Sequence, residues 1–159
     1  MMRKAFRIFK KKYRGEWYDG EGAFRYGGRW NSRGTRIFYA SATLSLAALE
    51  LLVNLTEFDA LLGYSYAEIE FDPGLVQSVA NRNKLPPNWR SSPPPAKLRA
   101  IGDEWVASGA SAVLEVPSAV VPVESNFLVN VQHPAFHDIM LGKVRDFKFD
   151  SRLKWRQST

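Results

Sequence analysis

A single carboxylate, Glu50, lies inside an otherwise uncharged apolar segment that runs from residue 40 to residue 55. Within it, the apolar residues that recur at the spacing of one helical face are Leu46, Leu49 and Val53. Ser41 or Thr43 can cap the start of such a helix. Because other apolar residues lie off that stripe, the segment predicts a helix that is covered on most of its sides.

The position of Glu50 in this segment needs a physical explanation. A carboxylate surrounded by apolar side chains, without a partner, loses its hydration and shifts toward the protonated form. We therefore expect Glu50 to have a cationic or hydrogen-bonding partner, or to act on a ligand, which makes it a candidate site residue. The alternative is that Glu50 lies on the solvated edge of an amphipathic helix, and the helix alone does not decide between the two.

Glycine, aromatic and arginine residues are concentrated in one predicted loop between residues 22 and 34, just before a predicted apolar strand at 36–40. Glycines let the backbone approach a ligand closely, and backbone NH groups with a guanidinium form a natural cradle for a diphosphate. Tyr26, Trp30 and Tyr39 offer flat faces to a heteroaromatic ring. The segment matches neither a Walker loop nor a dinucleotide-binding GxGxxG motif, so its composition alone is a weak indication.

The length and composition of the chain narrow the class of protein. A chain of 159 residues fits one domain, predicted to span 1–159. The absence of cysteine excludes disulfides, thiolate metal sites and thiol nucleophiles. No apolar stretch is long enough to cross a bilayer, and the basic N-terminus lacks the features of a secretory signal. A cytoplasmic location is therefore expected.

Charge is distributed unevenly along the chain. Residues 1–36 hold eleven basic and three acidic side chains, residues 37–142 hold five and eleven, and residues 143–159 hold six and two. Basic ends around an acidic middle are compatible with a nucleic-acid surface, a basic cleft for an anionic small ligand, or a docking face for an acidic partner. No helix-turn-helix, zinc-finger or RNP-type pattern supports nucleic-acid binding.

The remaining patterns predict an α+β fold, a compact single domain with mixed β-sheets and flanking helices. A long proline-rich loop is expected at 81–95, followed by a helix over 96–108. The predicted strands are 6–9, 64–71, 112–116, 127–131 and 144–149. His133 and His137 have a spacing that on a helix would suit a metal, but Pro134 interrupts that turn and no cluster of other ligands accompanies them. No metal site is therefore expected.

Short motifs in a characteristic order resemble those of one known family. They are Phe6-Arg7-Ile8, Gly22-Ala23, Gly28-Arg29-Trp30-Asn31 with Gly34, Tyr39-Ala40-Ser41, Ser45-Leu46-Ala47 to Glu50, Val116-Pro117-Ser118-Ala119, Glu124-Ser125-Asn126-Phe127-Leu128-Val129-Asn130, His133-Pro134 and Phe149-Asp150-Ser151-Arg152-Leu153. Through them the chain resembles, over essentially its whole length, the RES-domain toxins of bacterial RES–Xre toxin–antitoxin pairs.

The resemblance implies a fold similar to ADP-ribosyltransferases of the diphtheria-toxin type and an activity on NAD+. Relatives degrade NAD+ by hydrolysis or phosphorolysis, or transfer its ADP-ribose to a protein. The family's key residues correspond to Arg29, Tyr39 and Glu50, and its serine to Ser125, with Ser118 as a rival. The other residues expected to contact NAD+ are Arg7, Gly28, Trp30, Asn31 and Asn126.

The resemblance also implies the partners of the chain. NAD+ is expected as substrate, with no further cofactor and no metal. The protein partner is expected to be an Xre-type helix-turn-helix antitoxin, which would make any DNA contact. An oligomeric toxin–antitoxin complex is compatible with this expectation. No contact of this chain with a membrane is expected.

The three key residue types suit the chemistry that the resemblance implies. Cleavage of the nicotinamide–ribose bond passes through an oxocarbenium-like transition state, and nicotinamide leaves as a neutral molecule, so no general acid is required. Arg29 is expected to bind the diphosphate, Tyr39 to stack on the nicotinamide ring, and ionised Glu50 to stabilise positive charge on the ribose. Arg29 or Arg7 is expected to keep Glu50 ionised. In the alternatives, Tyr39 is an ordinary core aromatic, Arg29 is a surface residue, and Ser125 and Asn126 are turn and capping residues.

Overall fold

One mixed sheet of eight strands organises the part of the chain that the computed structural model describes, residues 1–55, 62–82 and 84–153. The strands are β1 (Arg3–Lys10), β2 (Ile37–Ser41), β3 (Tyr64–Phe71), β4 (Val76–Ser78), β5 (Val113–Pro117), β6 (Ser125–Asn130), β7 (Met140–Leu141) and β8 (Arg145–Phe147). Their order is β4-β5-β6-β2-β1-β3-β7, and β8 also pairs with β3. Strands β4 and β5 are parallel, and the other pairs are antiparallel.

Four helices accompany the sheet in the described ranges: α1 (Glu21–Tyr26), α2 (Leu44–Leu52), α3 (Val79–Arg82) and α4 (Ala96–Ser108). Three short 3-10 turns lie within the same described ranges, at Lys11–Tyr13, Pro73–Leu75 and Pro134–Asp138. Helix α2 begins after Thr43, whose hydroxyl accepts a hydrogen bond from the backbone NH of Leu46 at 3.0 Å. Helix α4 ends at Gly109, which has a positive φ of 62°. None of these helices is long and apolar enough to span a membrane.

The two faces of the sheet carry separate apolar clusters because successive residues of a strand point to opposite sides. In β6, Phe127 and Val129 join a cluster that also contains Phe38 and Phe71. The cluster on the other face packs against α4, and its large members are Trp30, Leu98, Trp105, Leu114 and Leu128. The segment before β2 is thereby held between the sheet and α4.

The predicted α+β class is confirmed, and helix α4 has the predicted bounds. Two details of the local predictions are wrong. The segment at 22–34 contains the short helix α1, and the last predicted strand is shortened to Arg145–Phe147. The predicted loop at 81–95 is free of helix and strand over its described residues 84–95, while Asn81 and Arg82 end α3 and residue 83 lies outside the described ranges.

Helix α2 is shorter and more exposed than the apolar pattern predicts. Leu46 is buried, but Leu49 and Val53 are 42% and 56% exposed. The helix packs against β1 and β2 on one side, so the opposite side faces the solvent. The prediction of a helix covered on most sides is therefore wrong, although the capping by Thr43 is confirmed.

Candidate functional site

A cleft of about 870 Å³ opens between the 22–33 segment, strands β1 and β2, and helix α2. Parts of the proline-rich loop and of the 119–120 turn complete its wall. The predicted site residues that line it are Arg7, Gly28, Arg29, Trp30, Asn31, Tyr39, Glu50 and Asn126. Sequence positions up to 119 residues apart therefore meet at one place. The two candidate serines, Ser125 and its rival Ser118, are not among the residues that line the cleft.

Glu50 lies in the last turn of α2, where uncharged donors hold one of its two carboxylate oxygens. Its Oε1 accepts a hydrogen bond from Ser118 Oγ at 2.6 Å and another from Asn126 Nδ2 at 2.7 Å. In the described part of the chain, Oε2 receives no hydrogen bond and the carboxylate has no ion pair. The prediction that Arg29 or Arg7 partners Glu50 is therefore wrong, because two neutral side chains occupy that position.

Ser118 is fully buried and oriented toward Glu50 by its own backbone contacts. Its Oγ accepts hydrogen bonds from the backbone NH groups of Val120 at 3.1 Å and Val121 at 3.0 Å. A hydroxyl has two acceptor positions and one proton. Since both acceptor positions are in use, the proton remains for the Glu50 carboxylate.

The structure corrects the predicted ligand contact of Ser125. Its side chain points to the face opposite Asn126 and hydrogen-bonds to Glu115, whose carboxylate forms an ion pair with Arg3 at 3.0 Å. The hydrogen bond from Arg3, and secondarily that from Ser125, hold the pKa of Glu115 below its usual value. Adjacent residues of a strand cannot both face the cleft, so strand alternation could have favoured Ser118 from the sequence.

Tyr39 fixes the segment that precedes β2. Its hydroxyl donates to Asn31 Oδ1 at 2.6 Å and accepts from the backbone NH of Trp30 at 3.1 Å. Burial raises the pKa of Tyr39 above its usual value, so the phenol stays protonated and remains a donor. A Cβ placed on Gly28 would lie 2.6 Å from the Tyr39 hydroxyl oxygen, so a glycine is required at this close approach.

Trp30 and Asn31 line the cleft with few accessible atoms, which corrects their predicted roles as ligand contacts. The Trp30 side chain is 2% exposed and belongs to the cluster under α4. Asn31 is fully buried, and its Nδ2 donates to the carbonyl of Ala23 at 2.9 Å. Both side chains therefore build the wall of the cleft, and the other aromatic residues that line it are Phe6, Tyr26 and Tyr39.

Removing the hydroxyl of Tyr39 is expected to destabilise the protein. In Tyr39→Phe the buried Asn31 Oδ1 loses its donor and the Trp30 NH loses its acceptor, which we expect to lower the free energy of unfolding by about 1–3 kcal/mol. Urea unfolding measures this difference. Tyr26→Phe, at a side chain that is 74% exposed, is the matched control and should change little. Equal stability of the two variants would contradict the assigned contacts.

Arg29 connects the cleft to the proline-rich loop. Its Nη1 donates to the backbone carbonyls of Trp89 at 3.0 Å and Ser91 at 2.9 Å. Over the residues described, its Nε and Nη2 make no hydrogen bond. The guanidinium therefore holds the loop with one nitrogen and keeps other donors for a ligand in the cleft.

Arg7 is a half-buried cation that has no ion pair with any of the described residues. Its Nη1 donates to the backbone carbonyl of Tyr39 at 3.0 Å, which is available because β1 and β2 pair only at Phe6 and Ser41. Its Nε is buried and has no partner in the described part of the structure. Burial lowers the pKa of Arg7 to about 10, partly opposed by the charge of Asp19, so Arg7 is charged at neutral pH. A buried charge is costly unless it is paired, which points to an anionic ligand.

The whole cleft carries an excess of positive charge. Its charged lining residues are Glu50 and four arginines, Arg7, Arg29, Arg33 and Arg99. None of the ion pairs found within the described ranges involves one of these four arginines. The electrostatics therefore favour an anion that carries more than one negative charge.

The two histidines serve other purposes in this fold. His133 Nδ1 accepts a hydrogen bond from the backbone NH of Ala135 at 3.0 Å and thereby caps the 3-10 turn that follows. Its Nε2 lies 3.0 Å from the carbonyl oxygen of Gly109. The described residues contain no group of three or more side chains that could hold a metal ion.

Comparisons with known proteins identify relatives over nearly the whole chain. The family model of the RES domain matches residues 4–150. A relative named "Toxin Res" from Yersinia enterocolitica is 37% identical over 94% of this chain and 98% of its own length. The "Prs ADP-ribosylating toxin" of a Sphingobium strain is 36% identical, with 90% of each chain covered.

A solved structure supports the fold independently. It is the crystal structure of the MbcT–MbcA toxin–antitoxin complex of M. tuberculosis, which matches with a TM-score of 0.71. The match covers 93% of this chain and 85% of the other, at 17% sequence identity. At this identity the similarity concerns the fold alone.

Proposed function

The chain belongs to the RES domain family, which confirms the resemblance seen in its motifs, and we propose that its cleft binds NAD+ and cleaves the nicotinamide–ribose bond. The observation that carries this proposal is the composition of the cleft. A carboxylate held by two uncharged donors shares it with four arginines that have no carboxylate partner in the described structure. NAD+ carries a diphosphate anion, which suits the arginines of the cleft. Its ribose becomes more positive during cleavage, which suits the carboxylate.

Glu50 has the role of stabilising the transition state. Ser118 and Asn126 hold its Oε1 without neutralising its charge, so Oε2 is left for the ribose. A fixed negative charge lowers the energy of the oxocarbenium-like transition state more than that of the ground state. Because nicotinamide leaves as a neutral molecule, no acid is needed opposite Glu50.

Arg7 and Arg29 have the role of binding the diphosphate. A planar guanidinium matches phosphate oxygens in a two-pronged arrangement. Arg29 keeps donors free for this contact. The Nη2 of Arg7, which unlike its Nε is not a buried unpaired atom, also makes no hydrogen bond among the described residues. The cleft volume of about 870 Å³ is also in the range that binds ligands of this size.

Tyr39 has the role of holding the nicotinamide end. Its hydroxyl is already engaged by Asn31 and Trp30, so the ring is fixed before a ligand binds. A pre-positioned ring loses little conformational entropy when a pyridinium stacks against it. Gly28, next to the Tyr39 hydroxyl, lets the backbone come close to the same end of the ligand.

The biological role that follows is that of a toxin in a toxin–antitoxin pair. The relatives named "Toxin Res" support this role, and the neighbour in a toxin–antitoxin complex supports an antitoxin partner. We propose that the antitoxin is of the Xre helix-turn-helix type and that the toxin acts in the cytoplasm, where consumption of NAD+ arrests growth. Water or phosphate would accept the ADP-ribose. The alternative is transfer to a protein, which the name of the Sphingobium relative favours.

The purified chain incubated with NAD+ tests this proposal. We expect release of nicotinamide, with free ADP-ribose in water or ADP-ribose phosphate when inorganic phosphate is added. Induction of the chain alone in bacteria should lower cellular NAD+ before growth stops. Labelled NAD+ whose ADP-ribose becomes attached to protein would support the transferase alternative. Intact NAD+ in both settings, with growth arrested and no labelled protein, would contradict the proposal.

A further inference from the structure

Ser41 lines the same cleft as the predicted catalytic carboxylate, and its side chain hydrogen-bonds to Asn126 rather than to Glu50. It is the last residue of β2, pairs with Asn126 of β6, and is 5% exposed. Its Oγ donates a hydrogen bond to Asn126 Oδ1 at 2.6 Å. Ser41 was one of two predicted helix caps, but Thr43 has that role. The buried hydroxyl of Ser41 therefore serves a different purpose.

Two hydrogen bonds in series connect Ser41 to Asn126 and Asn126 to Glu50. An ionised carboxylate can only accept, so Asn126 must present its Nδ2 to Glu50. Its Oδ1 then points away from Glu50 and toward β2, where it needs a donor. Ser41 supplies that donor at 2.6 Å. Donation to Oδ1 also polarises the amide, which strengthens the hydrogen bond that Nδ2 gives to Glu50.

We propose that Ser41 is a positioning residue that acts through Asn126 to hold Glu50 Oε1. The inference rests on the proposed function, in which Glu50 stabilises the transition state. Without the Ser41 hydroxyl, Asn126 Oδ1 loses its donor, and the amide is free to turn toward another one. Glu50 Oε1 then keeps the hydrogen bond from Ser118, but the one from Asn126 is weakened. The carboxylate is therefore less well preorganised for the transition state.

A double-mutant cycle on Ser41 and Asn126 tests this role. Ser41→Ala is expected to lower kcat about tenfold, which corresponds to the loss of roughly one hydrogen bond, and to change KM less than about twofold. Asn126→Ala should lower kcat further. In the Asn126→Ala background, Ser41→Ala should have no additional effect, because its action passes through the amide that is already absent.

Ser65 provides the matched control. It is also a buried serine in a strand of the same sheet, 1% exposed, and its Oγ has no hydrogen-bond partner in the described structure. Ser65→Ala removes the same hydroxyl and should leave kcat within about twofold. Losses in kcat that multiply in the Ser41–Asn126 cycle, or an equal loss in Ser65→Ala, would overturn the positioning role.

A measurement without substrate separates this inference from the proposed function. The side-chain amide resonance of Asn126, identified by its disappearance in Asn126→Ala, is expected to shift in Ser41→Ala and to stay in place in Ser65→Ala. An unmoved resonance would overturn the inference. A fully active Ser41→Ala protein beside an active wild type would contradict the positioning role alone, whereas a wild type that leaves NAD+ intact would contradict the proposed function.

Discussion

Glu50→Gln is expected to lower kcat for NAD+ cleavage by about two to three orders of magnitude while the protein remains folded. The substitution keeps the shape of the side chain, and the glutamine oxygen can still accept the hydrogen bonds that Ser118 and Asn126 donate to Oε1. Only the negative charge is lost. If that charge stabilises the oxocarbenium-like transition state, the loss appears in kcat rather than in KM.

Release of nicotinamide by the purified variant measures this effect, and thermal unfolding shows whether the fold is retained. Glu104→Gln is the matched control, because Glu104 is exposed on α4 and lies outside the cleft. The control should be as active as the wild type. A Glu50→Gln variant within tenfold of the wild-type kcat would show that the charge of Glu50 is not used in the reaction.

That Glu50 has dedicated partners could be predicted from the sequence, because a charge in an apolar helix is physically costly and therefore informative. The identity of its partners could not be predicted in the same way. Ser118 and Asn126 are 68 and 76 residues away in the chain, and only the pairing of β5 with β6 brings both to α2. The sequence suggested arginine partners, since it shows which residue types are present but not which of them meet.

Local sequence patterns also predicted the bounds of helix α4 better than they predicted which side chains face the cleft. Helix α4 was predicted at its observed bounds, because its apolar period and the glycine that follows it are local signals. Trp30 was predicted to face a ligand, yet it packs under α4. The local sequence around an aromatic residue in a glycine-rich segment looks the same whether the side chain faces a ligand or the core. Only tertiary packing distinguishes these two positions.

The contact between helix α4 and the cleft segment has the largest expected effect on stability. At Gly102 the helix passes so close to the cleft segment that an added Cβ would lie 1.6 Å from the carbonyl oxygen of Trp30 and 2.8 Å from its carbonyl carbon. These are backbone atoms, which cannot rotate away as a side chain does. Beside it, Asp103 accepts hydrogen bonds from the backbone NH of Ser32 at 2.9 Å and from Thr35 Oγ1 at 2.8 Å, so the two elements are fixed together.

Gly102→Ala is therefore expected to lower the free energy of unfolding by about 3 kcal/mol or more, and the melting temperature by about 10 °C. The helix must move away from the sheet, which opens the cluster around Trp30 and Trp105. The segment that contacts the helix at Trp30 also contains Arg29. Activity should therefore fall in the fraction of the protein that remains folded. Urea unfolding followed by tryptophan fluorescence measures the change in stability.

Gly22→Ala is the control for this substitution. Gly22 lies in helix α1, and no atom lies within 4 Å of the position that its Cβ would take. Alanine is preferred over glycine in a helix by up to about 1 kcal/mol, so this variant should be as stable as the wild type or slightly more stable. If Gly102→Ala were equally stable, the close approach of α4 to Trp30 would be contradicted. Both substitutions add one methyl group to a helical glycine, so the difference between them isolates the contact with the cleft segment.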